Sequence, residues 1–192
     1  MRKAATVEFV AFDVETTGLH ADIDDRIVEI GAVRFRDDGT EIGTFSTLVN
    51  PSRPCGESTN IHGITDEELI HAPNEETAVA LFQAWLGEPP DAYLAHNASF
   101  DVGFVKQAFE RTGKLDVLGD HPTVICTLRL SRRINWNARG HKLTMVASHY
   151  GIDAGHSHRA LDDARTCGKV FLKLINGQPF REVVRYQEIL NI

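Results

Sequence analysis

Phe9-Val10-Ala11-Phe12-Asp13-Val14-Glu15-Thr16-Thr17-Gly18 is an apolar run that closes on two carboxylates spaced two residues apart. Thr6 to Val14 reads as a buried strand. Side chains two apart on a strand point to the same face, so Asp13 and Glu15 stand side by side at its end. Like charges this close resist joint ionisation. A bound divalent cation is the simplest arrangement that would justify them.

Outward from this strand, Arg26 to Arg36 is rich in β-branched residues and alternates toward its end. Asp37-Asp38-Gly39 follows, a strong hairpin signal between apolar runs, and Glu41 to Val49 returns as a third strand closed by Asn50-Pro51. These three strands are expected to be antiparallel neighbours. Pro51 to Asn60 reads as loop, and Thr65 with Glu68 three residues on reads as a helix start. A helix over Glu75–Leu86 sets Val79, Leu81, Phe82 and Trp85 on its apolar side and ends at Gly87. Ala92–His96 and Val124–Cys126 are short strands. Phe100–Thr112, Leu143–Tyr150, Ala160–Ile175 and Phe180–Leu190 are helices, the last with Pro179 at a favourable N-terminal position. The pattern predicts one α/β domain over residues 1–192, with a core of about 7–175 and a C-terminal helix of about 179–191. Its sheet is mixed and five-stranded, with the first three strands antiparallel and helices flanking it.

The 192 residues suffice for one well-buried core, and 42% hydrophobic and 24% charged residues are ordinary for a globular protein. No apolar run is long enough to span a bilayer, so no membrane partner is expected. Glu8 interrupts the N-terminus before a signal-peptide core can form. Cys55, Cys126 and Cys167 are odd in number and widely spaced, which argues against a disulfide framework or thiolate zinc site and points to a reducing cytoplasm. The net charge of −7 disfavours a nucleic-acid partner, but bound cations at a carboxylate cluster would reverse the local field. A zinc reading of His156 and His158 fails, since the pair is too closely spaced and lacks matching ligands.

Two further carboxylates have unusual settings. Asp101 closes His96-Asn97-Ala98-Ser99-Phe100-Asp101 at a strand-to-helix junction, and Asp163 lies five residues after His158 in a segment turning helical. Each taken singly is accounted for by a helix N-terminus. Taken together and in order, these segments resemble the DEDDh class of 3′–5′ exonucleases. The likeness is nearest to the proofreading (epsilon) subunit of bacterial DNA polymerase III and the equivalent domain built into some such polymerases. It runs roughly from Val7 to Leu174 and also takes in Ile27-Val28-Glu29-Ile30-Gly31-Ala32-Val33, Ile61-His62-Gly63-Ile64-Thr65 and His158-Arg159-Ala160-Leu161-Asp162-Asp163-Ala164.

The resemblance implies a ribonuclease-H-like fold. It implies that Asp13, Glu15, Asp101 and Asp163 hold two divalent cations, Mg²⁺ or Mn²⁺, with His158 as the general base. The residue chemistry agrees: hard cations want oxygen ligands, two of them can serve both ends of an in-line displacement, and a neutral imidazole can take a proton near pH 7. The five-residue spacing of the family it resembles selects His158 over His156 and Asp163 over Asp162. Asp162 is expected on the outer side or in a cap, because adjacent helical residues diverge by about 100°. The resemblance also implies that Thr16, Thr17, Gly18, Leu19, Ile61 and His62 touch the 3′-terminal nucleotide. Phe100 either stacks on a base or packs in the core, and Asn97, a further candidate substrate contact, is expected to order its loop rather than touch metal. Arg129, Arg132, Arg133, Arg139, His141 and Lys142, with Trp136 among them, form a basic stretch that either grips phosphates or is a solvated face.

The reading favoured is metal-dependent 3′–5′ hydrolysis at the 3′ ends of DNA, single-stranded or frayed, releasing nucleoside 5′-monophosphates in replication proofreading or repair, with a polymerase as partner. Trimming of RNA 3′ ends or short oligoribonucleotides is the nearest alternative. An aspartyl-phosphate phosphomonoesterase would use Asp13 as nucleophile, but wants Asp rather than Glu15 two residues on and gives His158 no role. An inactive nucleic-acid or polymerase-binding module would lack a carboxylate or the histidine, and none is missing. The chain departs from the epsilon pattern in stopping at Ile192 without a clamp-binding motif.

Overall fold

The computed structural model describes residues 7–119, 122–134 and 139–175. The helix expected over 179–191 and Trp136 lie outside the described residues. In chain order the elements are β1 (Glu8–Thr16), β2 (Ile27–Arg36), β3 (Glu41–Leu48), α1 (Thr59–His62), α2 (Asp66–Leu69), α3 (Glu75–Leu86), β4 (Ala92–Ala95), α4 (Ala98–Thr112), β5 (Val124–Cys126), α5 (Thr127–Ile134), α6 (Leu143–His149) and α7 (Ala160–Ile175). The five strands form one mixed sheet in the order β3-β2-β1-β4-β5. β1–β2 and β2–β3 are antiparallel, while β1–β4 and β4–β5 are parallel.

The period of two along β1 divides the interior into two layers. Val10, Phe12 and Val14 pack with Val79 and Phe82 of α3 and Val102, Val105 and Phe109 of α4. Phe9 and Ala11 face the other way, against Ala164, Cys167, Val170 and Phe171 of α7. Asp13 and Glu15 continue this second row by strand alternation. The two carboxylates therefore extend an apolar stripe toward the first turn of α7.

β1 runs two residues beyond the strand read from hydrophobicity. Pairing with β2 continues through Val14↔Ile30 and Glu15↔Glu29 to Thr16↔Ile27, with a bulge at Glu15/Thr16. A tertiary ladder thus holds the backbone extended after the apolar pattern has stopped. Three other differences have equally local causes. Leu81, expected on the buried side of α3, is 47% exposed, while Ala78 takes an inward position instead. α4 begins at Ala98, two residues early. α1 and α5 are short helices of four and eight residues in segments not assigned as helix from the sequence; α5 buries Thr127, Leu130 and Ser131. Thr65 caps α2 as expected, in a reciprocal capping box with Glu68.

Candidate active site

Four elements converge where β1 ends. β1 and β4 are paired only through Ala11↔Leu94. Beyond that point Val14 N–H donates instead to Asp101 Oδ1 at 3.3 Å, so a carboxylate from α4 takes the place of a neighbouring strand. Asp101 sits in the first turn of α4, preceded by Asn97 in the left-handed region at φ +73°, a conformation Asn tolerates better than most residues. The sharp strand-to-helix turn therefore directs Asp101 back over β1.

α7 arrives from the opposite layer. A Cβ on Gly31, the Cα partner of Asp13, would lie 2.1 Å from Leu161 N and 2.2 Å from Ala160 C. Only glycine allows the start of α7 to rest directly on β2 there. This contact brings Asp163 to the cluster, where its Oδ2 accepts the His158 N–H at 2.9 Å. Ligand atoms of Glu15, His158 and Asp163 lie within 4.8 Å of one another. Asp162 looks elsewhere: its carboxylate accepts the His156 N–H at 3.2 Å and meets Arg165 at 3.4 Å.

The charges in this cluster oppose one another. Burial, then Asp101, Glu15 and Asp163, holds the Asp13 carboxyl well above its usual range. Glu15 is pushed up to about 8 by burial first, then by Asp163 and Glu29, with Arg159 opposing. Burial also raises Asp101 and Asp163, against the backbone N–H groups of Val14 and His158 respectively. Four buried or half-buried hard oxygen donors, whose mutual repulsion Arg159 and His158 offset only in part, have the chemistry that divalent cations fit.

A cavity opens on each side of the cluster. The first, about 620 Å³, is lined by Glu15, Thr16, Gly18, Leu19, Ile61, His62 and Phe100 among others. Leu19 and Ile61 are 73% and 60% exposed at its wall. His62 is buried, and its Nδ1 accepts the Ile64 N–H at 3.0 Å, which leaves the proton of the neutral ring on Nε2. That Nε2 is buried, and burial pulls the imidazole pKa down against the backbone of Thr16, which favours the charged ring. Phe100 packs against the core and Phe104, as one of its two readings expected, and it also lines this cavity. Thr17 does not line this cavity. Its hydroxyl accepts the Arg26 N–H at 3.0 Å and donates to Asp25 at 3.2 Å, so it braces the turn outside the cavity.

The second cavity, about 800 Å³, is lined by Asn97, Arg132, His141, Lys142, His158 and Asp163 among others. Its wall is tied to β4 by His96. Nε2 of that ring faces the His141 carbonyl at 2.9 Å and must donate to it, so Nδ1 accepts from Thr127 Oγ1 at 3.0 Å. Burial lowers the His96 pKa to about 4, which keeps this tautomer neutral.

The exonuclease family model (RNase_T) matches residues 10–171. The chain belongs to the exonuclease family. It is 36% identical over 185 residues to the PolC-type DNA polymerase III of Staphylococcus saprophyticus, covering 96% of this chain and 12% of that relative. The exonuclease-family chain thus spans about an eighth of the length of the curated relatives it matches. Among solved structures it is similar to exonuclease X in complex with 5′ overhanging duplex DNA, with 26% identity, 90% and 92% of the two chains covered and a TM-score of 0.65. It also shares the fold of E. coli exonuclease I in complex with a dT13 oligonucleotide, at 19% identity, coverage of 94% and 43%, and a TM-score of 0.80. The chain accordingly carries an exonuclease-family domain of ribonuclease-H-like fold, in a family that generally uses divalent metal ions.

Two residues of the candidate site escaped the sequence reading. Glu29, 2% exposed on β2, meets Arg159 through Nε at 3.3 and 3.2 Å and Nη2 at 2.8 Å, and accepts the Ala160 N–H at 2.9 Å. Both lie inside quoted motifs, but 130 residues separate the partners, and no local spacing marks the pair.

Proposed function

We propose that this chain removes nucleotides one at a time from the 3′ end of DNA, releasing nucleoside 5′-monophosphates during replication proofreading or repair. The observation that carries the reading is the convergence of Asp13, Glu15, Asp101 and Asp163 with His158 at the end of β1. The four carboxylates are the residues that would hold two divalent cations, Mg²⁺ or Mn²⁺. When bound, such cations would balance the buried negative charge and stabilise the attacking and leaving oxygens of a phosphodiester displacement.

The protein's own groups do the rest. His158, exposed beside Asp163, accepts the proton of the attacking water through its imidazole. The terminal nucleoside occupies the cavity of Thr16, Gly18, Leu19, Ile61, His62 and Phe100. Arg132 and Lys142 across the cluster receive the phosphates of the remaining strand, with Asn97 shaping that wall. Kinship with PolC-type polymerases supports a replication setting and a polymerase partner. The three cysteines are free and buried, which accords with a reducing cytoplasm. We read the 192 residues as one exonuclease domain with its core over 7–175.

A product assay tests this. With Mg²⁺ or Mn²⁺, a 5′-labelled single-stranded DNA should shorten stepwise to a ladder, and matched RNA should be degraded more slowly. Asp13→Ala or His158→Ala should lower the rate by at least roughly 10²-fold while the circular dichroism spectrum is unchanged. Undiminished hydrolysis by either purified variant would refute the assignment.

A further inference from the structure

We propose that Glu29 and Arg159 are positioning residues that present the His158 imidazole to the site, an inference that rests on the function assigned to His158 above. Three consecutive residues, His158, Arg159 and Ala160, have donors captured by just two carboxylates. The His158 N–H goes to Asp163 Oδ2 at 2.9 Å. The Arg159 side chain and the Ala160 N–H both go to Glu29, with Arg159 Nη2 at 2.8 Å and Ala160 N at 2.9 Å.

Ala160 is the first residue of α7, so its N–H lacks an intrahelical acceptor. Glu29 reaches across from β2 to supply one, and its negative charge also suits the helix N-terminus. The same carboxylate takes the arginine through two of its nitrogens, which fixes direction as well as distance. His158 itself adopts φ +66°, in the left-handed region. That conformation is unfavourable for a non-glycine residue and persists only where its surroundings hold it. Glu29 on one side and Asp163 on the other are those surroundings, and neither touches the imidazole ring through these bonds. The ring is left exposed and free to act while its backbone is anchored to the sheet.

The alternative is that the pair merely stabilises the packing of α7. Kinetics on single-stranded DNA with saturating Mg²⁺ separate the two, using Arg159→Ala, Arg159→Lys and Glu29→Gln, each alone and combined with His158→Ala. Arg159 is the safer probe of fold, because its side chain is 49% exposed whereas that of Glu29 is 2% exposed. Arg159→Ala should lower kcat roughly 10- to 100-fold with KM unchanged. Arg159→Lys, which keeps the charge but loses the planar fork, should recover only part of the rate. In the His158→Ala background Arg159→Ala should cost nothing further, because both changes remove the same contribution.

A second readout needs no turnover. In ¹H–¹³C NMR spectra of the cation-free protein, the His158 ring signal should shift and broaden in Arg159→Ala while the other histidine signals hold. Equal losses in the two backgrounds, a change confined to KM, or an undisturbed His158 signal each overturn the positioning role. Full activity in His158→Ala alone refutes the assignment of the base as well, which distinguishes failure of that reading from failure of this one.

Discussion

Glu15 loses its proton only near pH 8 in the cation-free protein, against an ordinary 4.5, because burial and the charges of Asp163 and Glu29 oppose its ionisation. A carboxyl whose folded pKa lies above its unfolded value stabilises the fold fully below the unfolded pKa, and that stability is lost as pH rises through the folded one. Asp13, Asp101 and Asp163 shift in the same direction. The melting temperature of chelator-treated protein should therefore fall between about pH 4.5 and pH 8. Added Mg²⁺ or Mn²⁺ should restore it at the upper end, with protons released on binding. Melts across that range with and without cation check this, and a cation-free protein that gains stability toward pH 8 would contradict it. The spacing of Asp13 and Glu15 made their repulsion legible in the sequence. The share contributed by Glu29 was not, since it reaches them only through strand pairing.

The contact between β2 and α7 decides whether these side chains meet at all. Gly31→Ala places a methyl group within the backbone of Ala160 and Leu161, so α7 must lift. Urea denaturation should show a loss of roughly 1–3 kcal/mol, the usual scale for overpacking, and activity should fall further because Asp163 and His158 move with the helix. Wild-type stability in this variant would mean the helix sits elsewhere. Elements with a strong local signature were readable: the β2–β3 hairpin through Asp37-Asp38-Gly39, α3 to its observed bounds, and α2 through Thr65 and Glu68. α1 and α5 were not. Each is too short to be stable alone, and the three arginines among the eight residues of α5 made it read as part of a basic stretch. At the candidate site the order of Asp13, Glu15, Asp101, His158 and Asp163 could be read along the chain. The engagement of Thr17 with Arg26 and Asp25 could not, because it depends on how the turn closes.

Across the whole molecule a net charge of −7 coexists with a cavity walled by Arg132 and Lys142. Arg132→Ala and Lys142→Ala should weaken DNA binding at low salt and flatten its dependence on salt concentration. For a single strand, the slope of log K against log salt should fall by about 0.7 for every phosphate that a variant no longer neutralises. Fluorescence anisotropy with Ca²⁺ in place of the activating cation measures this, and unchanged slopes in both variants would place the strand elsewhere. The wall of that cavity also has a property that its chemistry makes useful. Held neutral down to about pH 4, with both ring nitrogens engaged in a single tautomer, His96 is an acid-indifferent strut beneath the loop carrying His141. Acidification therefore disarms the carboxylates before it deforms the groove, and the protein can lose its chemistry while keeping its grip.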